Sequence, residues 1–367
     1  MRKIYIIFSI ILVIITVSLL FYSFYKLHNR NIIEKFNESK RLINIYIAGS
    51  NIYNENTHKF HAILTLNTIN LKIGLTLIPP EFMVNLDKGK KEFQRIDQVD
   101  MDDIKKLQSF LNHELKINIP FYIEIYSPDI VRLVDIIEGI DLFVLDQVTN
   151  IDGVRFGKNY FDGEKIIQYI NSNNSSSIYM RYDRIRDILL TLFFNKEKYK
   201  EYIDIDLISK IFETFKTNFH ANEIMSLSKL LLKGSEFICT VLPGRYNDKK
   251  FYYFDEIAYK IYENTFFKKI IYNKDDNTIV KIKILNGTGV SGLARKMRNM
   301  LVKEGINVVE FGTSPYPLMD HTIIINRKSD VCAYTKVSEL LGVDRIYHII
   351  DSIQLNNVLV IIGKDFI

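Results

Sequence analysis

Residues 4–25, IYIIFSIILVIITVSLLFYSFY, contain no charged side chain. A run this long and apolar on every side cannot be one face of a soluble helix, and its length matches the hydrocarbon thickness of a bilayer. Arg2 and Lys3 precede it, and Lys26, His28 and Arg30 follow. No small-residue cleavage site closes it, as a signal peptide requires. The run is expected to be a single transmembrane helix, with residues 1–3 as a cytoplasmic tail and 26–40 as a polar stalk. Residues 31–367 then lie outside the cytoplasmic membrane.

A chain of 367 residues has room for two domains, and 47% hydrophobic content can fill two cores. The net charge of +5 suits an anionic membrane surface, but acidic and basic residues are interspersed, which argues against a nucleic-acid partner. Cys239 and Cys332 fall in different expected domains and read as buried free thiols, with a single bridge as the alternative. No Cys/His pair has metal-site spacing. The histidines are scattered, and isolated ones such as His220 and His321 read as structural, so no catalytic triad is expected.

Along the chain, apolar alternation predicts strands at 42–48, 63–66 and 71–78, with a turn over Asn67–Asn70 and a stop at Pro79-Pro80. Helices are expected at 102–115 and 129–138, and strands at 121–126 and 140–145. Further helices are expected at 197–217, 221–233 and 254–267, with a strand at 236–242. Strands alternating with helices predict a layered α/β domain over 41–272. The polar segment 273–278 is the expected linker. Residues 279–367 repeat the α/β rhythm: strands at 279–285, 306–311, 321–326 and 357–362, and helices at 291–304 and 330–341. This segment is expected to fold by itself.

The stretch DGEKIIQYINSNNSSSIYMRYDRIRDIL, residues 162–189, organises the first domain. A helix runs over 162–170, a Ser/Asn loop breaks it, and a second helix carries Arg181 and Arg184 one turn apart. Guanidinium groups at i and i+3 share a face and can grip one phosphate group. The competing reading is a solvated face, because Arg181, Arg184 and Arg186 interleave with Asp183 and Asp187.

The Asp162-Gly163-Glu164 helix followed by Arg181-x-x-Arg184 resembles the LytR–CpsA–Psr family. Segments INIYIAGSN, GLTLIPPEF, IVRLVDIIEGIDLFV, CTVLPGRY and FYYFDEIAYKI resemble it in the same order over about residues 41–267. The resemblance implies a layered α-β-α domain. It also implies a membrane-anchored enzyme that moves glycopolymers from a polyprenyl-pyrophosphate carrier to peptidoglycan, with acids holding magnesium and arginines holding the pyrophosphate. This chain departs from that pattern. Asn51 and Tyr53 stand where the family has Asp and Arg, and Pro80 and Glu81 where it has Arg and Asp. Asn171 and Asn173 replace an Arg-x-Arg, and no Asp or Glu occurs between His58 and Pro80. Arg181 and Arg184 remain as phosphate-binding candidates, with no catalytic residue and no metal ligand expected.

Residues 281–297, KIKILNGTGVSGLARKM, place Gly287, Gly289 and Gly292 between a strand and a helix. That G-x-G-x-x-G spacing, with Glu310 ending the next strand, matches a dinucleotide fingerprint. The segment is too short for a complete dinucleotide fold, and it resembles the LytR C-terminal domain through to Phe366. The glycines then serve a tight turn and close helix packing, and no NAD is expected.

The sequence thus points to an envelope protein with a degenerate LytR–CpsA–Psr domain, a LytR C-terminal domain and no cofactor. Its expected partners are the membrane, polyprenyl phosphate or pyrophosphate lipids, peptidoglycan and other envelope proteins. The alternatives are an active transferase, which alone would need magnesium, and a transcriptional attenuator, for which no helix-turn-helix or basic reading face is evident.

Overall fold

The structure, a computed structural model, describes residues 31–39, 41–50, 59–87, 89, 92–145, 151–172, 178–199, 210, 214–248, 251–271, 280–328, 331–351 and 353–366. The run 4–25 and the linker 273–278 lie outside the described residues. Among those described, no helix is long and apolar enough to cross a membrane.

Strands β1 (Leu42–Ser50), β2 (Phe60–Asn67) and β3 (Lys72–Ile78) form an antiparallel meander. Asn67 and Asn70 make the turn between β2 and β3. Each side-chain oxygen accepts from the backbone two residues on, and each side-chain amide donates to the Ile270 carbonyl. Strand β6 (Phe121–Tyr126) pairs parallel with β1, and β10 (Glu236–Val241) pairs parallel with β3. With β9 (Lys216–Thr217) the sheet order is β10-β3-β2-β1-β6-β9.

Both faces of this sheet are covered, which is why its strands read as nearly continuous apolar runs. Ile43, Ile45, Leu66, Leu75 and Ile123 pack against α1 (Ile32–Glu38), α5 (Ile178–Phe194) and α7 (Ala221–Leu232). Tyr46, Ala48 and Ile63 face α2 (Ile104–Leu115) and α8 (Glu256–Tyr262). This is the expected three-layer domain. Behind α5, helix α3 (Ser127–Ile136), hairpin β7–β8 (Ile140–Val144, Gly157–Phe161) and α4 (Gly163–Asn171) close a smaller core around Phe161 and Ile166.

Three local expectations differ from the fold. Residues 31–39, read as part of a stalk, belong to the domain: Ile33 is fully buried, and the Asn31 amide donates to Asn222 and Ser226 on α7. Of the helix expected over 197–217, residues 200–209 and 211–213 lie outside the described residues, and its expected end is instead β9, where Lys216 and Thr217 pair with β6. Strand β8 was not foreseen, because GKNYF is a mostly polar hairpin edge.

The second domain carries the sheet β14-β13-β17-β15-β16, formed by Asn307–Thr313, Lys281–Asn286, Val358–Ile362, Ile323–Asn326 and Ile346–His348. One face packs on α10 (Leu293–Lys303) and α11 (Val331–Leu341). Among the described residues, no helix covers the other face. There Leu285, Ile323, Ile325, Leu359 and Ile361 pack with Leu145, Phe143 and Phe156 of the first domain. Such a face would be exposed if residues 279–367 stood alone, so the expectation of an autonomous unit must be qualified. Within the second domain, the glycine motif forms the turn that the sequence implied. A Cβ at Gly287 would sit 2.9 Å from the Ile362 carbonyl oxygen, and Gly292 takes φ +87° as it opens α10. The Asn286 side chain spans that turn, accepting from Thr288 and donating to the Val290 carbonyl. Glu310 pairs with Lys283 at 2.7 Å.

Candidate functional site

Helix α4 begins where the Asp162-Gly163-Glu164 motif predicted, and two contacts explain the motif. The Asp162 carboxylate caps the helix by accepting from the Lys165 N–H at 2.8 Å. A Cβ at Gly163 would lie 2.5 Å from the Val131 carbonyl oxygen, so only glycine lets α4 approach α3 this closely. The C-terminus of α4 is then closed by an arginine from α5. Arg184 Nη1 donates to the carbonyls of Tyr169 (3.2 Å) and Ser172, and its guanidinium lies 5.7 Å from the Tyr169 ring centre.

Arg181 and Arg184 share one face of α5, but their surroundings differ. Arg184 is 9% exposed, and burial lowers its pKa, as expected for a cation enclosed by carbonyls rather than carboxylates. Arg181 is half-buried and makes no ion pair or hydrogen bond with the described residues. The solvated-face reading holds for neither Asp183 nor Asp187, both buried. Arg186 pairs with Asp183 at 3.0 Å, and Asp187 accepts from the Ile350 N–H of the second domain at 2.5 Å and from the Tyr169 hydroxyl at 3.3 Å.

The first turn of α5 is pinned to the sheet. The buried Tyr182 hydroxyl donates to the Ile78 carbonyl at 2.6 Å, bringing Arg181 to the C-terminal end of β3, beside Pro79-Pro80-Glu81. Burial raises the Tyr182 pKa; the charges of Glu81 and Asp97 raise it further, and that of Arg181 opposes them. The short hairpin β4–β5 (Met83–Val84, Gln94–Arg95) forms one wall. On it Arg95 makes a bidentate pair with Asp97, Nε to Oδ1 at 2.9 Å and Nη2 to Oδ2 at 2.7 Å, which raises the arginine pKa. Glu81 Oε2 is buried with no hydrogen-bond partner.

The structure therefore gathers Arg181, Glu81, Arg95, Asp97 and Tyr182 at one sheet end. Sequence reasoning missed Arg95 and Asp97. Their R-x-D spacing gives no sign that a two-residue hairpin folds them back onto Glu81. Asn171 ends α4, while Asn51, Tyr53 and Asn173 lie outside the described residues. Magnesium prefers several hard oxygen ligands, and among the described residues at this sheet end the acidic ones are Glu81 and Asp97. Glu81 is half-buried with its Oε2 enclosed, and Asp97 is paired with Arg95. Among the described residues no group of three or more His, Cys, Asp or Glu is placed to hold a metal ion.

Elsewhere, Cys239 is buried and free, its thiol pushed up to about 11 by burial, while the Cys332 side chain lies outside the described residues. His321 lies 3.5 Å from Asp365, and the His220 N–H donates to Glu223 as α7 opens.

Comparison with known proteins agrees with this architecture. Residues 279–366 match the family described as LytR cell envelope-related transcriptional attenuator. No curated protein matches the chain. Among solved structures, TagV of B. subtilis is 18% identical with a TM-score of 0.50, covering 64% of this chain and 98% of that one. A structure described as TagT bound to LIIa-WTA is 14% identical with a TM-score of 0.52, covering 63% and 91%. Protein gbs0355 from Streptococcus agalactiae is 14% identical with a TM-score of 0.51, covering 66% and 92%. The chain thus carries a LytR C-terminal domain behind a domain with the LytR–CpsA–Psr fold.

Proposed function

We propose that this protein of LytR–CpsA–Psr fold is an envelope component that holds phosphate-linked glycans without transferring them. Residues 4–25 anchor it and residues 31–367 face the wall. The reading rests on one observation: among the described residues, the sheet end presents one half-exposed guanidinium, Arg181, that makes no ion pair, beside an Arg95–Asp97 pair and the half-buried Glu81. One guanidinium can bind a phosphate through charge-assisted hydrogen bonds. Cleaving a pyrophosphate needs the developing charge neutralised by several fixed cations or a metal, and each missing contact typically costs about 100-fold to 1000-fold in rate. TagT, which shares the fold, has been solved bound to LIIa-WTA, and this supports a glycan ligand of that kind. The ligand is then a polyprenyl phosphate or a wall-linked glycan, and the docked second domain offers a surface for other envelope proteins.

The test is turnover. The full chain in nanodiscs is incubated with a polyprenyl-pyrophosphate-linked glycan and magnesium, and release of polyprenyl phosphate is followed. Background release is expected. Release that disappears in Arg181→Ala would establish an active transferase.

A further inference from the structure

The far end of α5 meets the second domain in a cleft of about 510 Å³ that the phosphate-holding reading does not use. We propose that this interdomain cleft binds a saccharide bearing an acidic substituent. A pyranose offers an apolar C–H face and a rim of hydroxyls, so its sites combine aromatic surface with a few fixed polar groups.

The cleft supplies both. Phe194 stacks on His348 with ring centres 4.4 Å apart, yet is 38% exposed, so it still offers surface to the cleft. Phe143 and Tyr347, from the two domains, lie 4.3 Å apart and add a second aromatic pair to the lining. In the same lining, Lys158 and Lys198 converge on Asp141 at 3.0 and 3.3 Å. Burial works against the Asp141 carboxylate, but the two ammonium groups outweigh it and hold its pKa below the ordinary value. His348 adds no charge near neutral pH, because burial pushes it down to about 4. Two cations against one anion leave a positive excess on flexible, exposed side chains, the complement of a carboxylate or phosphate on a sugar. Asn195, exposed in the lining, adds an amide oxygen, its Nδ2 donating to the Thr191 carbonyl at 2.8 Å. The cleft lies about 20 Å from Arg181 along the helix. The proposal stands whether or not Arg181 binds phosphate.

Isothermal titration of the full chain in nanodiscs tests it, with N-acetylglucosamine–N-acetylmuramic acid as the acidic probe and chitobiose as the neutral one. Saturable binding of the acidic disaccharide is expected with Kd of about 1 mM or tighter. Lys198→Gln should weaken it about tenfold and remove the preference over chitobiose. Phe194→Ala should weaken both sugars, and Arg181→Ala neither. Lys198 is exposed, so its variant keeps the test open if Phe194→Ala disturbs the seam. Absence of saturable binding, affinity unchanged in both cleft variants, or binding lost in Arg181→Ala would each overturn the proposal.

Discussion

At its first turn α5 holds Arg181 half-exposed at the end of the central sheet. About four turns further on, the same helix carries Phe194 into the seam between the domains. The first end presents one half-exposed cation at a sheet edge, and the second lines a cleft where the two domains meet. Between them Arg184, Asp183, Arg186 and Asp187 are all buried, and each bonds within the protein. Two arginines one turn apart thus divide the roles. Arg184 closes α4, and Arg181 alone faces outward. A motif that reads as a phosphate grip is, in this chain, half a fold determinant.

The largest effect expected from that contrast concerns the seam. His348 is buried, its pKa pressed down from 6.5 to about 4 by burial. Its near neighbours there are Asn326, Phe194 and Tyr334, with Asp141, Lys158 and Lys198 lining the same cleft. A depressed base is neutral when folded but protonates when unfolded. Its contribution is therefore complete above about pH 6.5 and falls away as the pH drops toward 4. At about 1.4 kcal/mol per pH unit, this amounts to about 3 kcal/mol. Denaturant melts at pH 7 and pH 4.5 should show the loss, and His348→Phe should remove most of it; an identical pH dependence in that variant would break the assignment.

Next in size, Arg184→Ala leaves the Tyr169 and Ser172 carbonyls without their partner and should cost about 2 kcal/mol. Asp187→Ala frees the buried Ile350 N–H and should cost about 1–2 kcal/mol while loosening the domains, visible as faster amide exchange at Ile350. Arg181→Ala should change stability by no more than about 0.5 kcal/mol. If Arg181 and Arg184 proved equally costly, their division of roles would be wrong.

Much of this architecture is local, and local features were legible. Alternating apolar residues set β1 and β3, the Asn67 and Asn70 turn closed the hairpin, and the Gly287–Gly292 spacing gave its turn and helix start. What escaped depended on distant partners. Nothing within the segment 31–39 shows that Ile33 inserts under α7, because the residues that bury it are nearly two hundred positions away. The role of Arg184 was hidden for a similar reason, since its acceptors lie across a loop at the end of α4. The hairpin that brings Arg95 and Asp97 to Glu81 has strands of only two residues, too short for any periodicity. The bare face of the second sheet reads from sequence as an ordinary buried strand set, with no sign that the first domain covers it.

The account turns on Arg181, and equilibrium binding tests it most directly. A fluorescent polyprenyl phosphate is titrated into the full chain in nanodiscs, with and without magnesium, for the wild type, Arg181→Ala and Arg184→Lys. The prediction is weak saturable binding independent of magnesium, lowered at least tenfold by Arg181→Ala, about 1.4 kcal/mol, and little changed by Arg184→Lys. Binding that requires magnesium, or that survives Arg181→Ala unchanged, would contradict it.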